Sequence, residues 1–320
     1  MSCIFCRYWQ DEFGCPNAAM EYPSEDTSCL DRIYASLVNE TLQTAPGEAF
    51  VYSDLSFETL QFMVGSVVWR QGLLTTEEVQ QSPYCQYMSA DALFASTTTS
   101  VQLQCYFETF VRTRVFGHGA PDGPLMPHSS YLLADQNRAY CMPTMNDTLG
   151  NDNSYTGQRL QGQVGDGNCY AMGGIAGHAG VFSTAPDLGR FLSGMLRTLA
   201  GTAESNEFFL NATTIQTFTT LNNVTQSSRA LGWDTNTQLV STYGYDNSCG
   251  AMSSSSFMHI GYTGTCVCVD PENLLWSVVL TNRAYNCDGQ SCPSEISADV
   301  KAVYREFNSE LVEQARSALQ

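Results

Sequence analysis

The chain has 320 residues, 43% of them hydrophobic, and a net charge of −18 at pH 7 with a single lysine, Lys301. This length is enough to bury a large core, and such an acidic surface repels phosphate backbones and anionic lipid headgroups, so we expect no nucleic-acid or membrane-surface partner. No apolar run approaches the roughly 20 residues of a membrane span.

The first two thirds of the chain show mainly helical periodicity. Apolar residues after Asp31 recur at helical spacing, and a helix from Val101 to Phe116 should end at Gly117. Thr75 begins a further short helix. Asp54 is the predicted cap of another helix, whose core-facing side we expect to carry Phe57, Leu60, Val64, Val67 and Val68.

A polar, turn-rich stretch from about residue 129 to 167 precedes a glycine-rich segment that runs from Tyr170 to Leu188. Long loops inside a globular chain are often binding loops. Thr184 and Asp187 form a predicted capping box, and the helix after them has a full amphipathic stripe.

The last third changes to strand character. A strand rich in β-branched and aromatic residues begins at Phe257 and should continue to a turn at residues 270–273, with residues 274–281 as its hairpin partner. A helix from Ser297 to Leu319 closes the chain. The pattern predicts an α+β fold, with a helical lobe at residues 1–225 and a sheet lobe at residues 226–320.

Thirteen cysteines and four Asn-x-Ser/Thr sequons, at Asn39, Asn146, Asn211 and Asn223, favour the secretory route, although no signal peptide opens the chain. Cys3-x-x-Cys6 lacks a second pair to complete a zinc site, and no P-loop or dinucleotide fingerprint occurs. We therefore predict no metal and no cofactor. The cysteine pairing and the oligomeric state are left open.

Three segments in order carry a resemblance. Tyr52-Ser53-Asp54 opens a helix, a Gly-Gly-x-Ala-Gly-x-Ala-Gly-x-Phe-Ser-Thr-Ala run begins at Gly173, and His259-x-Gly-x-Thr-Gly forms a late strand. Leu231-Gly232-Trp233, residues 160–166 and residues 280–283 fit the same pattern. From about Asp31 to the C-terminus the chain resembles the serine β-lactamase and penicillin-binding-protein superfamily, in its class C and esterase-like branch.

This resemblance implies a serine hydrolase acting on a small ester, amide or peptide-like substrate. Tyr52 matches the family's proton-relay tyrosine, His259 a cation or hydrogen-bond donor, and the Tyr262 N–H an oxyanion donor. The predicted site residues are catalytic Tyr52 and His259, and substrate-binding Asp54, Gly261, Tyr262 and Thr263.

The chain departs from the family at its nucleophile. A Ser-x-x-Lys motif needs a lysine, but Lys301 is preceded at that spacing by Ala298 and lies in the last helix. Asp54 stands where the family usually has Asn, and Ile260 where it has Thr or Ser. Two explanations stay open: a fragment that lacks the N-terminal part of the fold, or a degenerate homologue. The alternative function is a non-catalytic ligand-binding or scaffold protein.

Overall fold

The computed structural model describes residues 28–85, 99–120, 123–145, 159–204, 206–237, 247–286 and 294–318. The chain divides into two compact units, which we describe separately. The first comprises Met1–Gly117 and Ser129–Phe182, and the second comprises His118–His128 and Ser183–Gln320. The lobe boundary predicted at residue 225 stays a prediction. Among the described residues, no helix combines the length and the apolar character needed to cross a membrane.

The first unit is helical. Its helices are α1 (Ser28–Asn39), α2 (Asp54–Arg70), α3 (Thr76–Gln80), α4 (Ser100–Phe110), α5 (Asp135–Arg138) and α6 (Gly167–Ala171). A π-helical turn, Val111–Phe116, continues α4 as far as Gly117, which confirms the predicted end of that helix. The helix start predicted at Thr75 is confirmed by α3, and Thr75 and Glu78 form its capping box.

Helix α2 packs closely against α4 but not through its apolar stripe. Gly65 is needed at this crossing, because a Cβ there would overlap the carbonyl of Leu103. The buried side of α2 holds Glu58, Gln61, Phe62, Gly65 and Val68. The predicted core face is therefore wrong except for Val68: the exposed residues are Phe57 (40%), Leu60 (46%), Val64 (36%) and Val67 (54%).

The second unit combines a sheet with helices on both of its faces. Its strands are β1 (Gly119–Ala120) and β2 (Gly123–Pro124), which pair with each other, and β3 (Asp234–Thr235), β4 (Phe257–Gly261), β5 (Thr265–Asp270) and β6 (Leu275–Leu280). Its helices are α7 (Ala185–Leu199), α8 (Ala212–Thr219) and α9 (Ser294–Ala318). Strands β3 to β6 form an antiparallel sheet in chain order, so the predicted α+β class is confirmed.

One strand prediction is wrong. The sequence predicted a continuous strand from Phe257 through Val269, but the chain turns back between β4 and β5. Gly264 adopts φ +105°, a conformation that glycine takes without strain, and its N–H donates to the Gly261 carbonyl at 3.1 Å. As a result His259 pairs with Val267, and Tyr262 and Thr263 lie at the tip of a tight turn.

The sheet is covered on both faces. On one face Met258, Cys266 and Cys268 pack with Tyr304 and Val312 of α9. On the other face α7 lies against β6, where the Trp276 ring fills the space beside Gly189, so that a Cβ there would come within 2.7 Å of the ring.

Two disulfides link described residues, Cys85–Cys105 in the first unit and Cys249–Cys268 in the second. Cys266 and Cys268 lie on the same face of β5, as predicted, and of the two Cys268 forms a disulfide with a described residue. Cys3, Cys6, Cys287, Cys292 and the sequon at Asn146 lie outside the described residues.

Candidate functional site

Among the described residues, no strand pairs with His259–Gly261 of β4 on the β3 side, and we call this stretch the open strand edge. Within the described chain, β3 pairs only with Phe257 and Met258, so the pairing stops one residue before His259. The His259 side chain is exposed, and Gly261 ends the strand. An edge of this kind offers backbone N–H and C=O groups to an extended ligand.

The ring of His259 is held in one orientation. Its Nδ1 lies 3.0 Å from the Ile260 carbonyl oxygen, which can only accept, so Nδ1 carries the proton. Although the side chain is exposed, neighbouring protein displaces enough water that desolvation, followed by the Arg229 charge, lowers the pKa of His259. The hydrogen bond to Ile260 by itself raises the pKa, but the net shift is downward and favours a neutral ring at pH 7, whose Nε2 presents a lone pair. The expected cationic role of His259 is not the one that this geometry favours.

The turn after β4 is fixed by Arg283. The Arg283 backbone N–H donates to the Thr263 carbonyl at 3.0 Å, and its Nε donates to the Tyr262 carbonyl. The guanidinium carbon also lies 4.6 Å from the centre of the Tyr262 ring, a cation–π contact. The Tyr262 side chain is 50% exposed, so the turn presents an aromatic ring beside a positive charge.

Two positions of this hairpin, Gly261 and Gly264, have no room for a side chain. A Cβ on Gly261 would overlap Thr265 Oγ1 across the hairpin, and a Cβ on Gly264 would come within 2.6 Å of Thr281 Oγ1. Thr281 Oγ1 in turn donates to the Gly264 carbonyl at 2.6 Å. The predicted substrate residues Gly261, Tyr262 and Thr263 thus lie on one rigid turn next to His259.

The Tyr52 segment belongs to the first unit. The Tyr52 side chain is 63% exposed and precedes Ser53, the N-cap residue of α2. Asp54 is the first residue of the helix and not its cap, so the predicted capping role of Asp54 is wrong. Tyr52 and His259 are both expected to be catalytic, and that expectation stays a prediction.

Asp54 instead contributes to a group of acidic side chains around His178. His178 Nε2 lies 2.8 Å from Asp166 Oδ1, and its Nδ1 lies 3.7 Å from Glu58 Oε1. Asp54, Asp166 and His178 each place one polar atom within 4.8 Å of the others. Because the Asp166 carboxylate accepts this hydrogen bond, His178 Nε2 carries a proton in the geometry described.

The electrostatics of this cluster follow from burial and pairing. Burial alone lowers the pKa of His178, but the hydrogen bond that His178 donates to Asp166 and the charges of Asp166, Glu58 and Asp54 together raise it. Burial likewise opposes ionisation of Asp166, yet His178 and the Cys169 N–H hold its pKa low. Desolvation raises the pKa of Asp54.

Two buried glutamines hold the glycine-rich segment that carries His178. Gln61 on α2 donates to the Ile175 carbonyl at 3.2 Å and accepts from the Gly177 N–H at 3.0 Å. Gln104 on α4 donates to the carbonyls of Met172 (2.7 Å) and Ile175 (2.9 Å). The conformation of the segment is therefore set by polar side chains that the helical periodicity had not assigned to the interior.

The predicted site residues fall into two sets. His259, Gly261, Tyr262 and Thr263 lie together on one hairpin, whereas Tyr52 and Asp54 lie at the start of α2. Sequence reasoning missed Glu58 and gave Asp166 and His178 no partnership. The sequence offered a partial signal for two of them, because Asp166 and His178 both lie in segments that carry the family resemblance.

Comparisons with known proteins find one family model and several curated relatives that match parts of this chain. The family model described as Beta-lactamase matches residues 107–297, more than half of the chain. A putative D-alanyl-D-alanine carboxypeptidase of Escherichia coli (strain K12) is 33% identical over 139 residues, which are 42% of this chain and 30% of that relative. A protein of the same name from Salmonella paratyphi B (strain ATCC BAA-1250 / SPB7) is 32% identical over 130 residues, 40% of this chain and 28% of the relative. The matched segment thus spans under one third of these curated relatives.

Proposed function

Because the chain belongs to the beta-lactamase family, we propose that it carries the acyl-binding elements of a serine hydrolase site for a small ester, amide or peptide-like substrate. The single observation that carries the proposal is the hairpin at His259–Gly264, where an open strand edge, a rigid turn and an exposed imidazole adjoin one another. An extended acyl group would add to this edge through backbone hydrogen bonds.

Each residue of the hairpin has a role in the proposal. The Tyr262 backbone N–H is the donor for the carbonyl oxygen of the ligand. His259, neutral with Nδ1 protonated, accepts a hydrogen bond from the ligand through Nε2. Gly261 leaves room for the ligand backbone, and Thr263 lies beside it on the turn. Tyr52, in the first unit, is proposed separately as the proton relay of the hydrolase form, a role that requires a nearby cation to lower its pKa.

Catalysis also requires a nucleophile, and the sequence contains no Ser-x-x-Lys. Loss of the nucleophile from a serine hydrolase leaves only about 10³–10⁴-fold acceleration over water, from binding and the oxyanion site. We therefore propose that these 320 residues bind the acyl ligand reversibly and do not acylate. This is the non-catalytic form of the proposal, and it is separable from the hydrolase form by experiment.

The relatives named D-alanyl-D-alanine carboxypeptidases make an acylated D-Ala-D-Ala dipeptide the first ligand to test. Titration of the chain should shift the His259 imidazole signal in NMR spectra, whereas the L-Ala-L-Ala analogue should not. Loss of one hydrogen bond in the variant His259→Ala should weaken binding about fivefold. His128→Ala, at an exposed histidine in a turn, is the matched control. No shift for either dipeptide would refute the proposed ligand class.

A fluorescent penicillin distinguishes the two forms. The non-catalytic form predicts no covalent adduct on this chain by mass spectrometry. An adduct on a serine would instead assign a nucleophile and support the hydrolase form.

We also propose that the protein follows the secretory route. The support is the pair of disulfides, since such bonds persist mainly in oxidising compartments. The test is thiol labelling of the cell-derived protein before and after reduction, which counts the bonded cysteines. Full labelling before reduction would contradict the proposal.

A further inference from the structure

Helix α2 begins without the usual side-chain cap. Ser53 occupies the N-cap position in extended conformation, but its side chain makes no capping hydrogen bond. The first turn is instead tied to another segment through its acidic residues. Asp54 and Glu58 are one turn apart on the same face of α2, and both are directed toward His178.

His178 joins two segments that are distant in sequence. Its imidazole is 5% exposed and is bonded through Nε2 to Asp166, the residue that caps α6 by accepting from the Cys169 N–H at 2.7 Å. Glu58, on the Nδ1 side, is fully buried. The imidazole therefore bridges the cap of α6 and the first turn of α2.

The bridge has a close steric contact beside it. Gly177, the residue before His178, lies so near the Phe57 carbonyl that a Cβ there would overlap it. The glycine-rich segment thus touches the backbone of the same first turn that Asp54 and Glu58 occupy. Movement of His178 would be transmitted directly to this turn.

We propose that His178 is a positioning residue, a buried imidazolium enclosed by Asp54, Glu58 and Asp166 that fixes the first turn of α2 and with it the Tyr52 segment. The assignment of Tyr52 to an acyl site rests on the proposed function; the bridge itself does not. His178 touches no substrate in this proposal and acts only through α2.

The charges around the ring explain why it is protonated. Asp54 and Glu58 face it from α2, and Asp166 faces it from the start of α6. The neighbouring Cys169 thiol stays neutral, because burial raises its pKa and the charges of Asp166 and Glu58 raise it further. The positive imidazole thus offsets part of the repulsion among the carboxylates of Asp54, Glu58 and Asp166.

The sign of the pH dependence follows. The pKa of His178 is raised above 6.5, so its contribution is complete below that value and is lost as pH rises through the raised pKa. The pKa of Asp166 is lowered below 3.8, so its contribution is present above that value and lost in stronger acid. We expect the first turn of α2 to be best fixed in the interval between pH 3.8 and 6.5.

The test is hydrogen exchange by NMR, expressed as protection factors so that the intrinsic pH dependence cancels. The amides of residues 58–62 are suitable, because their acceptors in α2 are the carbonyls of its first turn. In His178→Gln, protection of these amides at pH 6 should fall about tenfold, because the charge-assisted hydrogen bond of the bridge is lost. Asp166→Asn should do the same, and His128→Gln should change nothing.

A purely steric role would give a different pattern. The wild-type protein should lose protection as pH rises through the His178 pKa, whereas the Gln variant should be independent of pH in that range. Should His178→Gln not fold, Asp54→Asn and the wild-type pH series give the same answer. Unchanged protection in the folded variants, or zinc retained stoichiometrically by the purified protein, would overturn the proposal.

The outcome is separable from that of the proposed function. Loss of α2 protection without dipeptide binding would leave the bridge intact and refute the ligand class. Dipeptide binding with α2 protection indifferent to His178 would refute the bridge and leave the ligand class standing.

Discussion

Gln61 and Gln104 share one acceptor, and this sharing predicts non-additive mutational costs. Both side chains are buried, at 1% and 0% exposure. Both donate to the Ile175 carbonyl, so either one alone keeps that oxygen satisfied. Gln61 additionally accepts from the Gly177 N–H at 3.0 Å.

The magnitudes follow from counting orphaned groups. An unsatisfied buried donor or acceptor costs about 1–3 kcal/mol. Gln61→Leu orphans the Gly177 N–H and should lower the free energy of unfolding by about 2 kcal/mol. Gln104→Leu removes the donor to Met172 and should cost a similar amount. In the double variant the Ile175 carbonyl loses both donors, so the total should exceed the sum of the singles by about 1–2 kcal/mol.

The assay is urea unfolding of the wild-type chain, both single variants and the double variant, followed by circular dichroism. Gln81→Leu is the matched control, because Gln81 is exposed and bonds only within its own helical turn, to Glu77 at 2.9 Å. It should stay within about 0.5 kcal/mol of wild type. A double-variant cost equal to the sum of the singles, within about 0.5 kcal/mol, would falsify the shared-acceptor reasoning.

Three further predictions concern other parts of the molecule. Burial raises the pKa of Glu108 to about 7, so the folded protein should lose stability as pH rises from 4.5 to 7; Glu108→Gln should remove roughly 2–3 kcal/mol of this dependence, measured by urea unfolding at pH 5 and 8. Arg229→Gln should raise the NMR titration midpoint of His259 because it deletes a positive neighbour, and an unchanged midpoint would contradict that cause. Replacing both Cys249 and Cys268 by Ala should cost about 3 kcal/mol, since the bond closes a loop of 19 residues; equal urea midpoints for the wild type with and without reductant would argue against it.

Several helices and the hairpin partner of β5 could be predicted because their signals are local. The amphipathic stripe after Thr184 gives α7, and the helix start at Thr75 gives α3. The turn at Gly261–Gly264 was missed because β-branched and aromatic residues continue on both sides of it. Two glycines three residues apart were the available sign of a reversal, and positive φ at Gly264 is its physical cause.

The buried face of α2 could not be predicted from its own sequence. Helical periodicity finds an apolar stripe but does not tell which face other segments cover. Here the partners of Glu58 and Gln61 lie more than 100 residues away, in the glycine-rich segment. The same distance explains why His178 was not assigned to Asp54. Disulfide partners such as Cys249 and Cys268 are likewise fixed by the fold and not by spacing.

The order of the sheet in the chain has a consequence during synthesis. Strands β4, β5 and β6 are joined by short turns, so they can pair as soon as they leave the ribosome, while the helix that covers Met258 and Cys266 is translated after them. During synthesis the sheet therefore exposes one hydrophobic face for a time. We expect expression hosts rich in chaperones to give a higher yield of intact protein than hosts without them.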